Sequence, residues 1–134
     1  AEAHANLAFI LIYSDKVELG IKLLKRALRL NPIPPSRFYI FLAVAHRINE
    51  QHEKAIKLAE KALSGNPDQL TPYLTLAAAY SSLNRTENAH KAVEEVLRID
   101  PDFSLEYYAN ILPYKNHVTR DKYIEALRKA GLPE

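Results

Sequence analysis

Residues 70–101 read LTPYLTLAAAYSSLNRTENAHKAVEEVLRIDP, from Leu70 to Pro101. The stretch holds two amphipathic helical patterns, parted by a short polar break and closed by a proline. The first packs small residues (Ala77, Ala78, Ala79) beside Leu76 and Tyr80. The second places Ala89, Val93, Val96 and Leu97 on one stripe at i, i+4, i+7 and i+8, the spacing of a single helix face. Small side chains at fixed places let two helices approach closely, so the stretch reads as a helical hairpin.

The same layout recurs upstream. Pro32, Pro67 and Pro101 are 35 and 34 residues apart. Twelve residues before each stand Gly20, Ala55 and Ala89; five before stand Ala27, Ala62 and Val96; four before stand Leu28, Leu63 and Leu97. Twenty-five before stand Leu7, Leu42 and Leu76, each followed by an alanine. Six columns thus hold one class of residue across three units.

A closing proline, small residues at these offsets and a period near 34 resemble the tetratricopeptide repeat. In that family each unit is a helix A and a helix B. The likeness implies an all-α fold: an α-solenoid of three such units plus a short fourth helix and a C-terminal capping helix. The repeats fall at about 1–34, 36–68 and 70–102, with the cap at 103–134, as a single domain. Several positions depart from the family pattern. His4 stands where Tyr39 and Tyr73 fill the early aromatic column, and Gly20 stands where Ala is usual.

The helices are expected at about 2–13, 16–30, 37–48, 53–63, 72–83 and 86–99. Asp15 with Glu18 has capping-box spacing. Ser36, Thr71 and Thr119 are the expected caps of later helices, and Gly65 and Gly131 the expected stops. After Pro101 the pattern changes. Residues 104–112 form a short helix cut by Pro113, residues 114–118 a loop, and residues 120–130 a last helix with Tyr123, Ile124, Leu127 and Ala130 as its apolar stripe. Its polar flank suits an element that closes an exposed solenoid core.

PDFSLEYYANILPYKN (101–116) and YIEALRKAGLPE (123–134) are similar to the C-terminal end of bacterial adenylate/guanylate cyclase family proteins, where a class III cyclase domain precedes a repeat region. That resemblance implies the C-terminal regulatory or assembly module of a larger bacterial signalling protein. Any cyclase activity would belong to the parent protein, since catalytic motifs are missing here.

Composition narrows the chemistry. There is no cysteine, hence no disulfide framework and no thiol nucleophile, which fits a cytoplasmic setting. Three glycines leave no phosphate loop. No i, i+4 histidine pair exists to hold a metal, and no serine sits in a nucleophile elbow. No cofactor, metal or small-molecule substrate is expected. No apolar run approaches bilayer length, and a net charge of +2 is too small to predict nucleic-acid binding. Basic residues do line the B helices (Lys22, Lys25, Arg26, Arg29, then Lys54, Lys57, Lys61), but acids are interleaved. Nucleic-acid binding there stays an alternative, as does a passive structural spacer.

The leading reading is a non-enzymatic protein–protein interaction scaffold. The family lines its concave groove with helix A, which places Phe9, Ile12, Tyr13, Arg37, Ile40, Val44, Arg47, Leu74 and Ala78 in the protein- or peptide-binding set. Ala5, Ile48, Thr71, Ser81 and Ser82 lie beside them, and Leu105 and Tyr108 extend the row. Chaperone-binding members clamp a peptide carboxylate with Lys and Asn. Ala5 and Phe9 replace those residues here, so that clamp is not carried over. An apolar groove favours a hydrophobic peptide, a helix or a second copy of the chain. The other reading is that Phe9, Ile12 and Tyr13 are covered by a preceding repeat.

Overall fold

The computed structural model describes residues 2–134, with Glu2 described only in its backbone. Eight helices follow one another: α1 (Glu2–Tyr13), α2 (Val17–Leu30), α3 (Ser36–Ile48), α4 (His52–Gly65), α5 (Leu70–Ser82), α6 (Thr86–Ile99), α7 (Leu105–Ile111) and α8 (His117–Ala130). The described residues contain no strand. The first six pair as hairpins, α1 on α2, α3 on α4 and α5 on α6. Helix α2 packs on α3 and α4 on α5, and the A helices touch in the row α1, α3, α5. This is an α-solenoid.

The A helices are buried on several faces. In α5, Leu74 through Ala79 and Ser81 are all buried. The B helices keep a single buried stripe, as α6 does with Ala89, Ala92, Val93 and Val96. That difference follows from position: an A helix is covered by its own B helix, the previous B helix and a neighbouring A helix. Two buried clusters result, one in the first unit and the start of the second, the other from the second unit into the tail. Tyr13, Ile48 and Leu58 pack against both.

Helices α1 and α2 approach closely at Gly20. A Cβ there would lie 2.7 Å from Ile12 Cγ1 and 3.2 Å from the Ala8 carbonyl oxygen. Ala55 and Ala89 fill the same column in the later units and are fully buried or nearly so. Unit one has no methyl at this position, and Ile12 occupies the space beside it.

The hairpin turns repeat as faithfully as the helices. Asp15, Glu50 and Asn84, at matching positions, all take left-handed backbone with φ of 67, 60 and 61°. The next amide in each closes back on the helix: Lys16 to Leu11, Gln51 to His46, Arg85 to Tyr80.

Four expected caps are not found. Asp15 is the left-handed residue of its turn, and no side chain caps α2. Ser36 is already helical, and its hydroxyl donates to the Ala62 carbonyl at 2.8 Å. Helix α5 starts at Leu70, ahead of Thr71, with Gln69 in the cap position. Helix α8 starts earlier than expected because Asn116 caps it, its Oδ1 accepting from the Val118 and Thr119 amides at 2.9 and 3.2 Å. Gly131 does stop α8, with φ 115°.

The face expected to need a preceding neighbour is also placed differently. Ile12 is buried against α2, and Phe9 and Tyr13 are half-buried among other rings. The open apolar face of α1 carries Leu7 (49 % exposed) and Ile10 (58 %). Their counterparts, Leu42 with Ala45 and Leu76 with Ala79, are buried.

Candidate functional site: the inner face and its arginine

The tail crosses the solenoid's inner face. Helix α8 packs on α5 and α7, and the loop before it reaches back to α1, where the Lys115 amide donates to the Tyr13 carbonyl at 2.9 Å. The segment after α8 is fastened in turn: the Leu105 amide donates to the Pro133 carbonyl at 2.9 Å, and Leu132 is buried.

Tyr114, just after Pro113, stacks edge-on against Tyr13 with ring centroids 4.8 Å apart. Tyr123 follows at 6.2 Å from Tyr114, and Tyr108 at 6.0 Å from Tyr123. Upstream, Phe9 touches both Tyr13 and Phe41, at 4.8 and 5.2 Å. The rings form one continuous row from α3 and α1 into the tail. The Tyr108 and Tyr123 hydroxyls are 3.0 Å apart. Burial is the main force pushing the Tyr13, Tyr108 and Tyr123 hydroxyls above the ordinary phenol value, so these rings are neutral at physiological pH.

Arg47 sits in the middle of this row, only 6 % exposed. Its guanidinium carbon lies 3.6 Å from the Tyr123 ring centroid, and its Nη2 donates to the Tyr114 hydroxyl. Arg47 is the second-unit member of a column whose other members are Ile12 and Ser81, 35 and 34 residues away. Both are buried, so the helix packing dictates that whatever occupies this column is enclosed. Among the described residues no carboxylate pairs with Arg47. Its Nε is sealed from solvent and has no hydrogen-bond partner.

Beside Arg47 opens a pocket of about 380 Å³ between α3, α5 and α8. Ile48, Ala78, Tyr123 and Ala126 give it apolar walls; Arg47, His52, Ser81, Lys122 and Lys129 supply polar ones. Lys122 pairs with Glu50. Lys129 bonds to the Ser81 carbonyl at 3.3 Å and to Asn84 Oδ1 at 2.6 Å. Ser81 Oγ and His52 Nδ1 are buried with no partner. No group of acidic, histidine or cysteine side chains among the described residues is arranged to hold a metal ion.

The structure brings together only part of the expected groove set. Arg47 and Tyr13 meet under the tail, and Ala78 borders the pocket although it is itself buried. Ile12, Val44 and Leu74 are buried in the helix packing. Phe9 and Ile40 are half-buried, and Arg37 is exposed. Tyr114, Tyr123, His52 and Lys129 were not singled out as site residues by the sequence. A tyrosine held behind a proline in a short loop was the available signal for Tyr114.

Family models described as tetratricopeptide repeat match residues 1–34 and 47–112. The chain carries tetratricopeptide repeats. Over 133 residues it is 30% identical to the BBSome complex member BBS4 of Bos taurus, covering 95% of this chain and 25% of that protein. The TPR repeat-containing protein YpiA of Bacillus subtilis is 31% identical over 121 residues, covering 88% of this chain and 26% of that protein. The chain thus spans about a quarter of the length of these relatives. Among solved structures, MamA superposes with a TM-score of 0.72 at 24% identity, covering 96% of this chain and 75% of that one. A thermophilic TPR protein of Thermus thermophilus, TTC0263, gives 0.70 at 22% identity, covering 96% and 72%. These two likenesses concern the fold. The repeat architecture is that of a protein–protein interaction scaffold, and no helix of the described residues is long and apolar enough to cross a membrane.

Proposed function

We propose that this repeat domain is a non-enzymatic scaffold that binds a protein segment, or a second copy of itself, on the inner face of α1 and α3. The carrying observation is the mixed surface there. Phe9, Ile40 and Phe41 are only half-buried beside the exposed Arg37, while the downstream half of the same face is filled by the tail. Aromatic and arginine side chains are the residues that most often anchor an interface. The relative named as a complex member has a role of the same class. The likeness of residues 98–134 to cyclase C-terminal regions supports a finer reading, in which the domain couples assembly in the cytoplasm to an upstream bacterial signalling domain.

The test combines light scattering of the purified chain with selection of displayed peptides against it. Arg37→Glu and Ile40→Glu are expected to dissociate a self-assembly, or to weaken a selected peptide about tenfold or more, the scale of a lost interface anchor. Lys54→Glu on the outer face is the control and should change neither. A monomer whose selected peptides ignore both inner-face changes would sink the proposal.

A further inference from the structure

The pocket beside Arg47 has features that partner binding on α1 and α3 does not use. A guanidinium carries a fork of N–H donors, and of these only Nη2 has a hydrogen bond. Nε is buried without a partner. Nη1 bonds to nothing among the described residues and is not sealed off as Nε is. An enclosed cation normally has a carboxylate or a full set of acceptors, because desolvating an unpaired charge is expensive. The Tyr123 face compensates part of that cost, and one phenol oxygen compensates a little more.

The neighbouring groups are incomplete in the same sense. Lys129 is held by two neutral oxygens and pairs with no carboxylate among the described residues. Ser81, 3 % exposed, has an unpartnered hydroxyl. The pocket's two acids are already engaged, Glu50 by Lys122 and Glu125 by Arg128. Arg47, Ser81 and Lys129 thus line one cavity with apolar walls, of a size typical for small-molecule sites. A planar guanidinium matches the two oxygens of a carboxylate or a phosphate, and the apolar walls favour an organic carboxylate.

We propose that the pocket between α3, α5 and α8 binds a small organic carboxylate, its anionic end taken by Arg47, Ser81 and Lys129 and its apolar body held against Ile48, Ala78 and Ala126. Bound there, it joins the tail helix to the second and third repeats. The ligand would thereby stabilise the docked tail by mass action.

The site is independent of the α1–α3 partner surface and is tested with no protein partner present. Benzoate and succinate are titrated into the full chain by calorimetry and by thermal unfolding, with benzamide and inorganic phosphate as controls. At least one carboxylate should bind saturably and raise Tm, with benzamide at least about tenfold weaker. Ser81→Ala and Lys129→Gln should each weaken it about fivefold or more while the ligand-free Tm stays close to the parent's. Equal binding of benzamide and benzoate would reduce the site to an apolar cavity, and equal binding of phosphate to an unspecific anion site. Either result overturns the proposal, as does the absence of saturable carboxylate binding in the millimolar range.

Discussion

The guanidinium of Arg47 lies over the ring of Tyr123, 3.6 Å from carbon to centroid, and joins the second repeat to the last helix. This contact turns the tail from an end-cap into a strap across the inner face. A desolvated cation–π pair is worth about 2 kcal/mol or more. The hydrogen bond to the Tyr114 hydroxyl adds to it, since bonds to charged groups contribute about 1.5–3 kcal/mol.

Tyr114→Phe keeps the ring against Tyr13 and deletes only the acceptor. It is expected to cost about 1.5–3 kcal/mol in denaturant unfolding, because the buried Nη2 loses its partner. Arg47→Met combined with Tyr114→Phe removes both halves of the polar contact at similar volume. That double variant should regain most of the loss, as apolar replacements of buried charges often do. Measured stabilities that add independently would show that the two residues are not coupled in this way.

Gly20 gives a prediction of opposite sign to helix propensity. Replacing a mid-helix glycine by alanine ordinarily gains about 1 kcal/mol. Here the new methyl would meet Ile12 Cγ1 at 2.7 Å and the Ala8 carbonyl oxygen at 3.2 Å, and overpacking costs about 1–3 kcal/mol. Gly20→Ala is therefore expected to lower stability in the parent. In an Ile12→Ala background the same change should become neutral or stabilising. Urea unfolding of the four members of that cycle measures the coupling, and a stabilising Gly20→Ala in the parent would contradict the close approach.

Asp15 offers the reverse case. Its φ of 67° lies where residues with a Cβ are strained, Asp less than most. Its side chain caps nothing on α2. Asp15→Gly is expected to stabilise by up to about 1 kcal/mol, because left-handed backbone costs an L residue about 1–2 kcal/mol and Asp somewhat less, offset in part by the greater freedom glycine loses on folding. Asp15→Val should destabilise, because a β-branched residue fits left-handed backbone poorly. Thermal unfolding of the pair checks both directions.

The repeats were legible because every unit rewrites the same columns: Leu7, Leu42 and Leu76 on one face, Gly20, Ala55 and Ala89 at the approach. Helix ends were less legible where a hydroxyl had two uses. Ser36 bonds to the Ala62 carbonyl of α4, a contact from a later part of the chain that local spacing does not contain. The strap was illegible for the same reason. Periodicity marked Tyr123 as core-facing, but nothing local says that the core it faces includes Arg47, 76 positions earlier. The Ile12, Arg47, Ser81 column did carry a hint: a charge stands where the first unit has a buried isoleucine.

His52 predicts how stability responds to acid. Burial lowers its pKa from the usual 6.5, and the nearby Arg47 and Lys122 act in the same direction, against the Glu50 carboxylate. The folded state thus binds the proton less readily than the unfolded chain. The stability tied to the neutral ring is present above about pH 6.5 and is lost as pH falls from there through the lower folded value. Thermal unfolding across pH 5 to 8 should show Tm of the parent falling on the acid side of this window. His52→Gln, which cannot titrate, should fall less over the same range. Parallel profiles would mean that His52 gains no proton on unfolding and that its ring is not held neutral beside Arg47.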